Sequence, residues 1–266
     1  MEKAPPVELF VRKEGEGSAI VLLHGIGGDH SVWNAILPRL AVGHRVLAPD
    51  LRGHGRSPFP PDSSMGFPEL AGDVIALLDQ EKVERAHIVG MSAGGFLALT
   101  LGLSNPKRVH SLVLIGSAGH CDAHTRSIGQ RWAETYREEG FDAFTLRLLK
   151  DLYYPDWIEA HLDFADRVRD SLRDRDLTGV LRWGESVRSF DLRGRLTGLR
   201  APTLVVQGMD DHVVDPSHAR LLRQTIPGTE VRLLAQTGHM VPVERPDETL
   251  EAIQGWTARA DSRPPP

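Results

Sequence analysis

The stretch that most constrains this chain is the pentapeptide Gly90-Met91-Ser92-Ala93-Gly94. An apolar run, Ala86-His87-Ile88-Val89, leads into it as a short buried strand. A helix-like run over residues 96–103 leads out and stops at Asn105-Pro106. A serine in the pattern G-x-S-x-G between a strand and a helix sits on a sharp turn that lifts its hydroxyl clear of the sheet. The turn strains the serine backbone and leaves no room for bulk two residues before and two after, hence Gly90 and Gly94. The helix beyond it starts with its positive dipole end beneath the serine, so the Ala93 amide is expected to face a developing oxyanion.

A turn of this kind needs a parallel sheet around it. Residues 19–23, Ala-Ile-Val-Leu-Leu, form a continuous apolar run suited to a strand buried on both faces. It ends in His24-Gly25-Ile26-Gly27-Gly28, where glycines let backbone amides approach a ligand closely. Residues 7–11 read as an edge strand before it. Ser31 can cap a helix through about residue 40, and residues 45–49 form the next strand. After a proline-rich loop, 58–68, Pro68 fits the first turn of a helix whose Leu70, Val74, Leu77 and Leu78 recur at helical spacing. Residues 109–115 are another buried strand. The alternation of strands and helices predicts an α/β fold, a mostly parallel central sheet with helices on both faces.

The texture then changes. Residues 121–195 are rich in Arg, Asp and Glu, carry Trp132, Trp157 and Trp183, and contain no strand-like run. They read as a helical cap inserted over the sheet. Strands resume at Thr203-Leu204-Val205-Val206-Gln207 and at residues 230–234. A last helix starts near Pro246 and buries Leu250, Ile253 and Trp256. The expected organisation is therefore a core of 1–120 and 196–260, a cap of 121–195, and a loose tail of 261–266.

At 266 residues, 41% hydrophobic and 25% charged, the composition is that of a globular protein, and a formal net charge of −5 gives no reason to expect nucleic acid or an anionic membrane as partner. The opening Met1-Glu2-Lys3-Ala4-Pro5-Pro6 leads into no long apolar segment, so neither signal peptide nor membrane span is expected. The single cysteine, Cys121, cannot form an internal disulfide, and a reducing cytoplasm is the simplest setting.

A serine hydroxyl is a poor nucleophile at neutral pH. It needs a base to take its proton and a carboxylate to orient that base. Among twelve histidines His239 is best placed, in a Thr-Gly-His turn after the last strand. Gly208-Met209-Asp210-Asp211 offers two carboxylates directly after another strand, and Asp122, also downstream of a strand, is a further candidate. His120-Cys121-Asp122-Ala123-His124 places four potential ligands in five residues. Ligands this crowded seldom wrap one tetrahedral ion without a distant segment, so no metal is expected there.

The sequence resembles the α/β-hydrolase fold superfamily, in its serine esterase, lactonase and haloperoxidase-like branch. The resemblance rests on His24-Gly25-Ile26-Gly27-Gly28, Asp50-Leu51-Arg52-Gly53-His54-Gly55-Arg56-Ser57 and Gly90-Met91-Ser92-Ala93-Gly94-Gly95. Gly208-Met209-Asp210-Asp211 and the segment from Gly238-His239-Met240 through Glu244-Arg245-Pro246 complete it. It implies Ser92 as nucleophile, Asp211 as acid and His239 as base, with the amides of Ala93 and Ile26 holding the oxyanion. His24, Met240 and the cap residues Trp132, Trp157 and Trp183 are expected around the substrate. The implied activity is hydrolysis of small carboxylic esters or lactones without cofactor or metal. Carbon–carbon hydrolysis of a vinylogous diketone, perhydrolysis, and a ligand-binding receptor on the same fold are the rival expectations.

Overall fold

The computed structural model describes residues 5–60, 64–173 and 178–262, so the first four residues and the tail from residue 263 lie outside it. Seven strands form one sheet: β1 (Val11–Glu14), β2 (Ser18–Leu23), β3 (His44–Pro49), β4 (Ala86–Met91), β5 (Val109–Ile115), β6 (Thr203–Gly208) and β7 (Glu230–Leu234). Their spatial order is β1-β3-β2-β4-β5-β6-β7, and β1–β3 is the antiparallel pair. The chain winds from β2 outward to β3 on one side and then crosses to β4 on the other. The carboxyl ends of β2 and β4, where the winding reverses, are the place where open α/β sheets bind ligands.

The strands alternate between two buried layers. Val21 and Leu23 of β2, Ile88 of β4, and Leu112 and Leu114 of β5 pack into one core with Leu70, Val74 and Leu97. Their neighbours Ile20, Leu22, Val89, Val113 and Ile115 pack into the other with Trp33, Leu37, Ile253 and Trp256. Period-two alternation with both faces apolar requires helices on both sides. The helix Ala93–Ser104 is apolar all round, and it is buried from Ala93 through Gly102.

Three local expectations need correction. The edge strand runs Val11–Glu14 and not 7–11, because the amides of Val7 and Phe10 donate to side chains, Asp73 Oδ1 at 2.7 Å and Ser57 Oγ at 2.9 Å. The helix expected from Ser31 is a 3-10 turn, His30–Trp33, and a separate helix, Leu37–Leu40. Asp29 caps the turn by accepting from the Ser31 amide at 2.8 Å. Asp261 is not tail but the last residue of the helix Pro246–Asp261.

Between β5 and β6 the described residues hold five α-helices and no strand: Ala123–Glu139, Phe141–Leu152, Pro155–Glu159, Phe164–Arg173 and Thr178–Arg188. Where this segment leaves and rejoins the core its two ends pair, through a bridge between His120 and Asp191. The amides of Cys121 and Leu192 donate to the carbonyls of Phe190 and Gly119, each at 2.9 Å. The helix Thr178–Arg188 crosses the loop after β3 so closely that a Cβ on Gly179 would stand 2.2 Å from the Gly53 carbonyl oxygen. No helix among the described residues is long and apolar enough to cross a membrane.

The loop after β3 is fixed by a buried ion pair. Arg52 donates to both oxygens of Asp73, at 2.8 and 2.6 Å, with each side chain only 1% exposed. Removing one partner of such a pair strands the other charge. Asp73→Ala is therefore expected to lose about 3–5 kcal/mol of unfolding free energy in a urea titration. Adding Arg52→Met to that variant should recover much of the loss.

Candidate active site

Ser92 joins β4 to the helix Ala93–Ser104 with φ 53° and ψ −123°, a conformation that side chains rarely tolerate. The turn is held by its neighbours. The Ser92 amide donates to the Ile115 carbonyl at 2.8 Å, and Ser117 Oγ donates to the Ser92 carbonyl at 2.9 Å. A Cβ on Gly90 would lie 2.3 Å from the Gly94 carbonyl oxygen, and one on Gly94 would lie 2.4 Å from that of Leu23. Both positions therefore admit glycine alone. The loop after β2 closes on the same serine: a Cβ on Gly25 would be 2.9 Å from Ser92 Cβ and 3.5 Å from its Oγ. The amide of Ala93 belongs to the first turn of its helix and has no intrahelical acceptor.

His239 and Asp211 meet at the carboxyl ends of β6 and β7, their Nδ1 and Oδ2 atoms 2.8 Å apart, with residue exposures of 2% and 4%. A carboxylate only accepts, so the proton of this bond sits on Nδ1 and the lone pair of the neutral ring is on Nε2. Asp211 accepts three further hydrogen bonds, from Gln207 Nε2 and from the amides of Val213 and Val214, all at 2.9 Å. Four donors meet the lone pairs of this buried carboxylate and fix its orientation. Asp210 is half-buried, and its amide donates to the Thr237 carbonyl at 3.0 Å. Asp122 is engaged elsewhere. It caps the helix Ala123–Glu139 by accepting from the Thr125 amide at 2.8 Å and lies 3.1 Å from His218 Nε2.

The family model described as the alpha/beta hydrolase fold matches residues 18–246. The chain belongs to the α/β hydrolase fold family. Among its relatives, the carbamate hydrolase RutD of Variovorax paradoxus is 32% identical over 88% of this chain and 89% of its own length. The 2-hydroxymuconate semialdehyde hydrolase of a Pseudomonas species is 27% identical, over 97% and 93%. Among solved structures, the enol-lactonase of Burkholderia xenovorans superposes with a TM-score of 0.84 at 28% identity, over 94% of this chain and 96% of that one. Such relatives make this chain a hydrolase.

Two residues of this α/β hydrolase bear on the histidine without any prior signal beyond their place in a motif. The buried carboxylate of Glu244 accepts from three backbone amides: Gly238 at 3.0 Å, Met240 at 3.1 Å and Tyr154 at 2.8 Å. It thus brackets His239 and ties its loop to the inserted helices. In the same place, the His239 amide donates to the carbonyl of Leu152, the last residue of the helix Phe141–Leu152, at 2.8 Å. Burial pushes the Glu244 carboxyl above its usual range against the pull of those amides, and burial likewise raises the Tyr153 phenol. Gly116 is the second residue. With φ 53°, a Cβ there would stand 3.2 Å from His239 Nδ1 and 3.3 Å from Asp211 Oδ2, so this position keeps the pair free of crowding.

The expected pocket residues divide. His24 is fully buried; its Nε2 accepts from the Leu51 amide at 2.9 Å and its Nδ1 lies 2.7 Å from the Gly25 carbonyl oxygen. It braces two loops and is not a pocket wall. Trp183 is also fully buried, edge-on to His54 at 5.1 Å and packed on Phe67 at 6.2 Å, so it cements inserted helix to core instead of lining an open space. Trp132 is half-buried and its indole donates to Asp151 at 2.8 Å. Trp157 is half-buried and stacks between Tyr153 and His161. Met240 is half-buried beside His239. The crowded residues 120–124 form the neck of the insertion, where His124 Nε2 lies 2.8 Å from the His212 carbonyl oxygen.

Glu244→Gln replaces one acceptor oxygen by a donor and leaves a buried amide unmatched. It is expected to cost about 1–3 kcal/mol of stability. Because the amides it holds flank His239, kcat should fall while KM moves little, a split that denaturation curves and steady-state kinetics on an activated ester would together reveal.

Proposed function

We propose that this chain is a cofactor-independent serine hydrolase of small carboxylic esters or lactones. The buried Nδ1–Oδ2 hydrogen bond between His239 and Asp211, at the strand ends that also carry Ser92, supports this most strongly. In the proposed reaction Ser92 Oγ attacks the substrate carbonyl carbon as His239 Nε2 takes the hydroxyl proton. The amides of Ala93 and Ile26 hold the resulting oxyanion, and Asp211 stabilises the imidazolium. The tetrahedral intermediate collapses, the C–O bond breaks, and His239 gives its proton to the departing alcohol. Water, deprotonated by the same ring, then cleaves the acyl-enzyme. A lactone would keep its alcohol on the acyl chain and leave as a hydroxy acid.

The inserted helices of residues 121–195 act in this proposal as the cap that selects the acyl group. Trp157 and Met240, each half-buried, are its candidate wall residues, and the small-molecule substrate is the only partner required. The relative named 2-hydroxymuconate semialdehyde hydrolase supports a second reading, carbon–carbon hydrolysis by the same three side chains. The relative named a carbamate hydrolase adds carbamates to the substrates worth testing.

Aryl esters of graded acyl length, lactones, a carbamate and a vinylogous diketone, assayed side by side, discriminate among these. An ester or lactone is expected to have the highest kcat/KM, and preference for the diketone by more than about tenfold, a barrier difference near 1.4 kcal/mol, would replace the ester reading. A fluorophosphonate should label the peptide containing Ser92, and Ser92→Ala should abolish turnover with the fold intact.

Asp211→Asn should lower kcat by about 10⁴-fold, the size seen when a triad carboxylate loses its charge, and leave the melting temperature nearly unchanged. Asp210→Asn should stay within about tenfold of the parent. Normal turnover in Asp211→Asn would remove this residue from the mechanism.

A further inference from the structure

At the far end of the sheet from Ser92, three metal-competent side chains converge that the reaction does not use. His87 comes from the start of β4, His110 from the start of β5, and Asp261 from the end of the last helix. Their ligand atoms lie within 4.8 Å of one another. Asp261 Oδ1 stands 3.1 Å from His87 Nε2 and 3.2 Å from His110 Nε2. We propose that His87, His110 and Asp261 bind one zinc ion per chain, independently of the active site and of the function proposed for it.

Four features carry this. Ligands bonded to zinc at 2.0–2.1 Å occupy the corners of a tetrahedron whose edges are about 3.3 Å, and the two measured separations match such edges. Two imidazoles with one carboxylate form a donor set that suits zinc and not magnesium, which takes oxygen ligands in an octahedron. The ligands come from three elements remote in sequence, so they can surround an ion, unlike residues 120–124. Outer partners orient them: Ser111 Oγ lies 2.8 Å from His87 Nδ1, and Ser18 Oγ donates to Asp261 Oδ2 at 3.3 Å. Such support from outside fixes the ring nitrogen that faces a metal. The His87 side chain is 2% exposed while that of Asp261 is 41% exposed, so the ion would enter, and water would complete its shell, on the Asp261 side.

Without an ion, Asp261 Oδ1 accepts an N–H from His87 Nε2 while His110 Nε2, 3.2 Å away, makes no hydrogen bond among the described residues, and the cluster is a tie between the last helix and the sheet. Calorimetric titration of untagged, chelator-stripped protein with zinc chloride distinguishes the two. One zinc per chain is expected, together with a melting temperature about 5 °C higher at hundredfold excess over Kd, and magnesium chloride should do neither. His110→Ala removes a ligand at a partly exposed position. It should weaken zinc binding at least tenfold, since even outer partners are worth about 10–100-fold. Asp261→Asn should weaken it likewise, and cobalt(II) should give the intense visible absorption of a tetrahedral site in the parent alone. Binding of zinc with equal affinity to parent and both variants, or a melting temperature indifferent to zinc, would overturn the proposal.

Discussion

Three chain segments close on Ser92, and their crowding governs the architecture around it. The carbonyls of Leu23 and His24 press on Gly94, the Gly94 carbonyl presses on Gly90, and the loop at Gly25 leans on the serine side chain. A backbone at φ 53° costs about 1–3 kcal/mol and persists only when its surroundings leave no alternative. Here those surroundings are the central strands β2, β4 and β5, buried but for Ser18 and His110 at their starts, which cannot relax without opening both cores. Strain at one residue is thus held by the stiffest part of the molecule, and the serine stands half-buried at the carboxyl end of β4.

The carboxylates that organise the loops follow a common rule. Asp50 accepts from the His30 amide, the His30 ring and the Arg56 amide, at 2.7, 2.7 and 2.8 Å. Asp73 accepts from Arg52 twice and from the Val7 amide. Asp211 accepts from four donors and Glu244 from three. A buried charge is tolerable only when its lone pairs are met, and meeting them with amides from separate segments locks those segments together. Glu244 has the widest reach of the four, since one carboxylate holds both the histidine loop and the start of the third inserted helix. Core and insertion therefore share a joint at His239.

That joint explains why the inserted tryptophans do not behave alike. Trp183 lies in the helix that crosses the Gly53 loop and is consumed by packing between the two layers. Trp157 sits in an aromatic stack with Tyr153, one residue from the amide that Glu244 accepts. Burial separates the two, Trp183 fully buried and Trp157 half-buried, and the composition of residues 121–195 carries no mark of the difference.

The sequence by itself determined the sheet, the elbow and the order of serine, carboxylate and histidine. These rest on local signals: apolar runs of strand length, glycines at fixed offsets from Ser92, and turns directly after β6 and β7. The resemblance implied Asp211 over Asp210, and tertiary structure supplied what turns it toward His239: hydrogen bonds from Gln207, Val213 and Val214 that adjacent positions in a turn do not announce. Tertiary structure alone decided that His24 is a brace, that Glu244 clamps the histidine loop and that Asp261 joins His87 and His110. These depend on partners between 4 and 174 positions away along the chain. No periodicity in a sequence encodes contacts of that kind, because they are created only when the sheet stacks its strands side by side.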